Sequence, residues 1–183
     1  MATLRELIEG ADDGDQAAWE EIVDRFSGLV WATARAHRLS ASEAADVAQT
    51  TWLRLVENLD RIQDPDRLGA WLATTARREC LRLIRLGSRE QPTADDWVLD
   101  RPTDEHLDSR LLARERESAL RAALSRLDDR CQALVRMLAA PEPPSYEEIG
   151  AALGMPVGAI GPTRARCLQK LRRSPELASL ESG

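Results

Sequence analysis

The chain has 183 residues, 43% of them hydrophobic, and a formal charge of −6 at pH 7, which is enough apolar material to bury a core in one ordinary domain or two small ones. No apolar run approaches the roughly 18 to 20 residues that span a bilayer, and the start "MATLRELIEGADDGDQ" has neither the basic residues nor the apolar stretch of a secretory signal, so a soluble cytoplasmic protein with no membrane contact is expected. Three cysteines, Cys80, Cys131 and Cys167, lie far apart without a C-x-x-C pair, and there are two histidines; the sequence suggests neither a disulfide framework nor a zinc site, and the cysteines read as small core residues.

Strand signals are nearly absent and apolar residues recur at helical spacing outside one connector, so the expected fold class is all-α. Asp12 to Asp15 supply cap candidates for a helix whose stripe is Trp19, Ile22, Val23, Phe26, Leu29 and Val30. Ser40-x-x-Glu43 is a capping box opening a second long helix, with Val47, Trp52, Leu55, Val56 and Leu59 as its buried face. Asp64-Pro65-Asp66 interrupts the pattern, because proline fits only a turn or a first helical turn and the aspartates can cap the next helix. That third helix runs from about Arg67 to Leu86 and stops at Gly87.

Residues Gln91 to Asp108 are acidic, interrupted by proline and without helical period, which marks a flexible linker. The chain therefore divides into residues 1–88, a linker over 89–110, and residues 111–183 with a short C-terminal tail. In the second unit a helix runs through Leu127, another begins after the Asp128 cap, and the loop "AAPEPP" leads to a second capping box, Ser145-x-x-Glu148. Ile149 and Leu153 make the apolar side of that short helix, and Gly154 is placed to take a left-handed turn. Helix, short turn and helix form a helix-turn-helix.

The net charge hides a pattern. From Gly150 to Ser174 there is no acid, whereas Arg164, Arg166, Lys170, Arg172 and Arg173 all fall there. Between Arg67 and Arg89, arginines 67, 77, 78, 82, 85 and 89 face only Glu79. Two basic blocks flanking an acidic connector are the electrostatic footprint of a nucleic-acid binder. On the last helix Val157, Ile160, Cys167, Leu168 and Leu171 fall on one side; Pro162, Arg166, Gln169, Lys170 and Arg173 fall on the other, with Ala159 and Thr163 beside them. The second set suits a major groove. In the middle helix Arg67, Trp71, Thr74, Arg78, Arg82 and Arg85 form one stripe, and arginines interleaved with an aromatic and hydroxyls suit a separated strand. Trp71 sits at the edge of that stripe and reads first as core.

"ASEAADVAQTTWLRLVENLDRIQDPDRLGAWLATTARRECLRLIR" together with the later "ALSRLDDRCQALVRML" and "SYEEIGAALGMPVGAIGPTRARCLQKLRR" resembles an extracytoplasmic-function (ECF) type sigma factor of bacterial RNA polymerase, over about Gly14 to Arg173 and in the family's order. The resemblance implies a sigma region 2 bundle and a region 4 helix-turn-helix. Asp46, Gln49, Thr50, Trp52 and Leu53 fit the D-x-x-Q-x-x-[FW]-L pattern whose exposed side binds the clamp helices of the polymerase beta-prime subunit, with Trp52 itself in the core. Arg61, Gln63 and Asp64 lie in the loop that captures a flipped base of the minus 10 element, and Arg67, Trp71, Thr74, Arg77, Arg78 and Arg82 in the helix that engages the melted strand. Leu124 to Leu138 and the helix-turn-helix match region 4, which binds the beta flap and reads the minus 35 element, the latter through Ala159, Gly161, Pro162, Thr163, Arg166, Lys170 and Arg173. The implied partners are core RNA polymerase and promoter DNA, with an anti-sigma protein as a further candidate, and the implied activity needs no cofactor, metal or catalytic residue.

Two departures stand out. The family usually has a basic residue, serine and arginine where this chain has Gly161, Pro162 and Thr163. A proline inside a helix costs about 3 kcal/mol, so either the helix kinks there or its regular part begins at Pro162. The loop "LAAPEPPSYEE" puts prolines where the family has an acid-glycine turn, and reads as a rigidified loop. Rival readings are weaker. A helix-turn-helix regulator acting without polymerase would not need the D-x-x-Q helix, the arginine-tryptophan helix or the acidic connector, and a helical adaptor would be favoured by an absence of DNA binding in a salt-dependent assay. An enzyme would need a phosphate loop or ligand cluster, and His37 and His106 have no partner motif.

Overall fold

A computed structural model describes residues 2–87, 107–140 and 142–177. Every regular element among them is helical. Helix α1, Leu4–Asp12, is an element that helical periodicity alone did not single out. Its signal was present as Thr3-x-x-Glu6, a capping box in which Thr3 Oγ1 accepts from the Glu6 amide and Glu6 Oε2 accepts from the Thr3 amide at 2.7 Å. Helix α2, Gln16–Ala36, begins at the Asp15 cap and buries Ile22, Phe26, Leu29 and Val30. Helix α3, Ala41–Val56, opens on the expected Ser40–Glu43 box.

The buried face of α3 corrects one expectation. Val47, Thr51 and Leu55 succeed each other at four-residue spacing and are buried, as is Leu59 beyond the helix end, but Val56 is 59% exposed. Val56 sits about 100° around the helix from Leu55 and so faces away from the core. Two short 3₁₀ turns, Leu59–Arg61 and Pro65–Arg67, join α3 to α4, with Pro65 opening the second. Helix α4, Leu68–Arg85, ends shortly before Gly87 at φ 81°. It packs on α2 and α3 and buries Leu68, Leu72, Ala73, Ala76 and Cys80.

Residues 88–106, most of the acidic linker, lie outside the described residues. Helix α5, Leu107–Ser125, begins inside the stretch read as linker. Helix α6, Asp129–Leu138, is capped by Asp128, whose Oδ1 accepts from the Cys131 amide at 2.9 Å. Helix α7, Tyr146–Leu153, opens on the Ser145–Glu148 box and closes at Gly154, φ 63°. Helix α8 runs unbroken from Val157 to Arg172. Pro162 is therefore interior, and the alternative in which the regular helix starts at that proline is overturned.

One apolar core runs from α1–α4 into α6, α7, Met155 and Ile160. Each fully buried Leu, Ile, Val or Met in it contributes about 1.5–3 kcal/mol, and the largest include Ile22, Leu55, Leu68, Leu72, Leu134, Met137, Ile149 and Ile160. A second, smaller core holds Ala123, Leu124, Leu127, Cys131, Cys167 and Leu171. In it Cys131 of α6 and Cys167 of α8 are joined by a disulfide, with Cα atoms 5.5 Å apart. This corrects the reading of all three cysteines as unpaired: two lie in a core as expected, but the crossing of α6 and α8 brings together residues that sequence spacing left 36 apart. Cys80 is buried and free, and burial pushes its thiol up to about 12.

Closing a loop of this length restricts the unfolded chain by about 3–4 kcal/mol in the entropic account. Reduction should therefore speed amide hydrogen exchange in α6 and α8 markedly while leaving α2 and α3 unchanged. Equal protection of α8 with and without a dithiol reductant would contradict a bracing role.

Candidate nucleic-acid and protein-binding surfaces

The α3 residues singled out from the sequence form one outward stripe. Asp46 and Gln49 are exposed, Thr50 is half-buried, and Leu53 is 58% exposed one turn further on. Spacings of three and four place these side chains along one line of the helix, and Val56 extends it. Trp52 is half-buried and packs on the main core, as expected.

The next loop and helix are divided by the tertiary structure. Arg61, Gln63, Asp64, Arg78 and Arg82 are exposed, with Arg82 Nε 2.6 Å from Glu79 Oε2. Trp71, Thr74 and Arg77 are half-buried, and Trp71 packs on the main core. Arg77 lies toward α7, which runs along α4. A methyl group at Gly69 would collide with the Glu148 carboxylate, and one at Gly154 would lie 2.5 Å from Arg77 Nη2. Arg67 Nε lies 3.9 Å from Asp64 and 3.6 Å from Glu147. Arg77 Nε is buried without a hydrogen-bond partner. Of the predicted minus 10 residues, Arg67 and Arg77 thus face α7 rather than solvent alone.

Further contacts tie the two helix groups together. His37 Nε2 donates to the Ala152 carbonyl at 3.0 Å, Arg38 Nη1 lies 2.6 Å from Asp129 Oδ1, and Arg136 Nη1 donates to the Arg35 carbonyl at 3.3 Å. Burial holds the His37 imidazolium below its ordinary range; the Ala152 carbonyl opposes this and the Arg77 charge adds to it. The sequence assigned His37 no role, because its partner carbonyl is 115 residues away.

On α8, Pro162, Arg166 and Arg173 are exposed and Ala159 and Gly161 half-exposed. Thr163 is the exception. It is only 9% exposed and accepts a hydrogen bond from Arg166 Nη2 at 3.2 Å, because it continues the inward stripe of Ile160, Cys167 and Leu171. Lys170 Nζ lies 2.7 Å from Asp128 Oδ2. That hydrogen bond, helped by the Cys131 amide, lowers the Asp128 pKa. Among the described residues no group of His, Cys, Asp and Glu is arranged to hold a metal ion, and no helix is long and apolar enough to cross a membrane.

An all-helical chain with a polar-apolar stripe on one helix, an arginine-bearing helix beside it and a helix-turn-helix behind has close counterparts. Residues 22–90 match the Sigma-70 region 2 family model. Over 171 residues the chain is 34% identical to the ECF RNA polymerase sigma factor SigE of Mycolicibacterium smegmatis, covering 87% of this chain and 63% of that protein. The chain thus spans somewhat under two thirds of that relative's length. The structure of CnrH in complex with the cytosolic domain of CnrY superposes with a TM-score of 0.59 at 25% identity, over 92% of this chain and 94% of that one. The chain belongs to the sigma-70 family, among its ECF-type factors.

A histidine whose pKa is depressed where α7 meets the N-terminal helices favours that packing in its neutral form. The contribution is fully present above the ordinary value of 6.5 and is lost as pH falls through the depressed value. Amides of α7 should exchange faster at pH 5.5 than expected from chemistry alone, and His37→Gln should abolish the excess. Tighter protection at low pH would reverse the sign and contradict the assignment.

Proposed function

We propose that this protein binds core RNA polymerase and directs it to promoters, catalysing no covalent step itself. The observation that carries the reading is the α3 stripe: Leu53 and Val56, 58% and 59% exposed, stand beside Asp46 and Gln49 on the surface of a region 2 domain. Apolar side chains left outward in such a cluster mark a protein-binding site, here for the beta-prime clamp helices. The exposed Arg61, Gln63, Asp64, Arg78 and Arg82 serve the minus 10 element. The α6–α8 unit acts as region 4, with α6 toward the beta flap and α8 on the minus 35 element.

The described arrangement is a closed one. Because α7 lies against Arg77 and Glu147 approaches Arg67, engagement of these two arginines by a DNA strand requires α7 to move away, whereas Arg78 and Arg82 are exposed already. The unpartnered Arg77 Nε favours release, since a buried charged donor left unsatisfied costs about 1–3 kcal/mol. Resemblance to CnrH, solved with the cytosolic domain of CnrY, supports an anti-sigma protein that holds this chain away from polymerase.

Asp46→Ala with Gln49→Ala should weaken co-purification with core polymerase at least tenfold and leave the melting temperature within the small range expected of surface changes. Undiminished polymerase binding would remove the basis of the proposal. Arg78→Ala with Arg82→Ala should reduce open-complex formation on duplex templates much more than on pre-melted ones. Equal losses on both would show that these arginines do not hold the separated strand.

A further inference from the structure

The reading face of α8 is chemically unusual along its first half. Opposite the buried stripe of Ile160, Thr163, Cys167 and Leu171, the outward positions in chain order are Gly158, Pro162, Ala165, Gln169 and Arg173. A side chain added at Gly158 or Gly161 would meet no atom within 4 Å, so this surface is open. From Val157 to Thr163 no side-chain donor or acceptor is exposed, since Thr163, the one hydroxyl there, is turned inward beneath Arg166. The later turns expose Gln169, Arg172 and Arg173, with Arg164 and Arg166 on the flanks.

In a helix-turn-helix the N-terminal part of the second helix meets base edges in the major groove. Side-chain hydrogen bonds cannot read bases there in this protein. The major-groove feature that an apolar surface recognises is the C5-methyl group of thymine. Gly158 and Gly161 let the backbone approach closely, and the Pro162 ring and Ala165 methyl supply the apolar contact. The cations further along fit the phosphates of duplex DNA. Gln169 lies one turn beyond Ala165, where its amide matches the N6 and N7 positions of adenine.

We infer that α8 reads its promoter element through thymine methyl groups packed against Gly158, Pro162 and Ala165, so that the minus 35 site of this factor is a thymine-bearing duplex segment distinguished by shape and apolar contact. This rests on the sigma-factor reading above and specifies the ligand of its second domain. Pro162, costly in a helix interior, acquires a role: it is the largest apolar group at the centre of the reading face.

Uracil lacks only the methyl group, which makes the test direct. Duplexes randomised over a promoter-length window are prepared once with thymine and once with uracil in its place. Each pool is selected with core polymerase reconstituted with the full chain. Thymine should be enriched at discrete upstream positions by about fourfold for each methyl buried, and the preference should vanish in the uracil pool. With Pro162→Ser and Ala165→Ser together, upstream selection should become equal in the two pools while downstream selection persists. Equal upstream enrichment in both pools with the unaltered chain, or upstream enrichment of G and C alone, would overturn the inference. Absence of any polymerase-dependent enrichment would instead overturn the sigma-factor reading, and the inference with it.

Discussion

The arrangement of the whole chain depends on how closely α7 approaches α4. Two positions without side chains permit it: Gly69, where a methyl group would strike the Glu148 carboxylate, and Gly154, whose left-handed turn sits directly against the Arg77 guanidinium. With the backbones this near, Ile149 and Ala152 reach the same apolar core as Leu68 and Leu72. The α7 carbonyl of Ala152 comes within hydrogen-bond range of His37. A side chain at either glycine would displace the Glu148 carboxylate or the Arg77 guanidinium from this seam.

This packing has a functional cost. The stripe of α4 proposed for a DNA strand keeps Arg78 and Arg82 exposed, and α7 withdraws chiefly Arg77 from solvent. Around the apolar contact of Ile149 and Ala152, the margins of the seam are polar and imperfect: a buried Arg77 nitrogen without a partner, a histidine whose pKa burial depresses, and ion pairs with exposed members such as Arg38–Asp129. Exposed ion pairs are worth little individually, so the buried apolar residues contribute most of what holds the seam closed. The α3 stripe faces away from this seam, which leaves the proposed polymerase contact available in the closed form.

The C-terminal helices are seated separately. Besides its share in the main core through Ile160, α8 rests on a small cluster of which Cys131 and Cys167 form a large part. The disulfide and the Lys170–Asp128 pair both join α8 to α6, fixing which of its faces is outward. That orientation turns Thr163 in and leaves glycine, proline and alanine out.

Much of this was legible in the residues themselves. Capping boxes at Ser40 and Ser145, the Asp15 and Asp128 caps, Gly87 and Gly154 as stops, and the D-x-x-Q stripe are local signals, and local backbone and hydrogen-bond chemistry determines them whatever the rest of the chain does. Helical periodicity likewise identified most of the core, erring at Val56 and Thr163, which lie at the boundary of their stripes where a single wheel position decides burial. The sequence alone could not reveal that α7 lies on α4, that His37 meets Ala152, or that Cys131 pairs with Cys167. Each joins residues far apart in the chain, and only the packing of whole helices, with glycine at the points of contact, decides which distant surfaces meet.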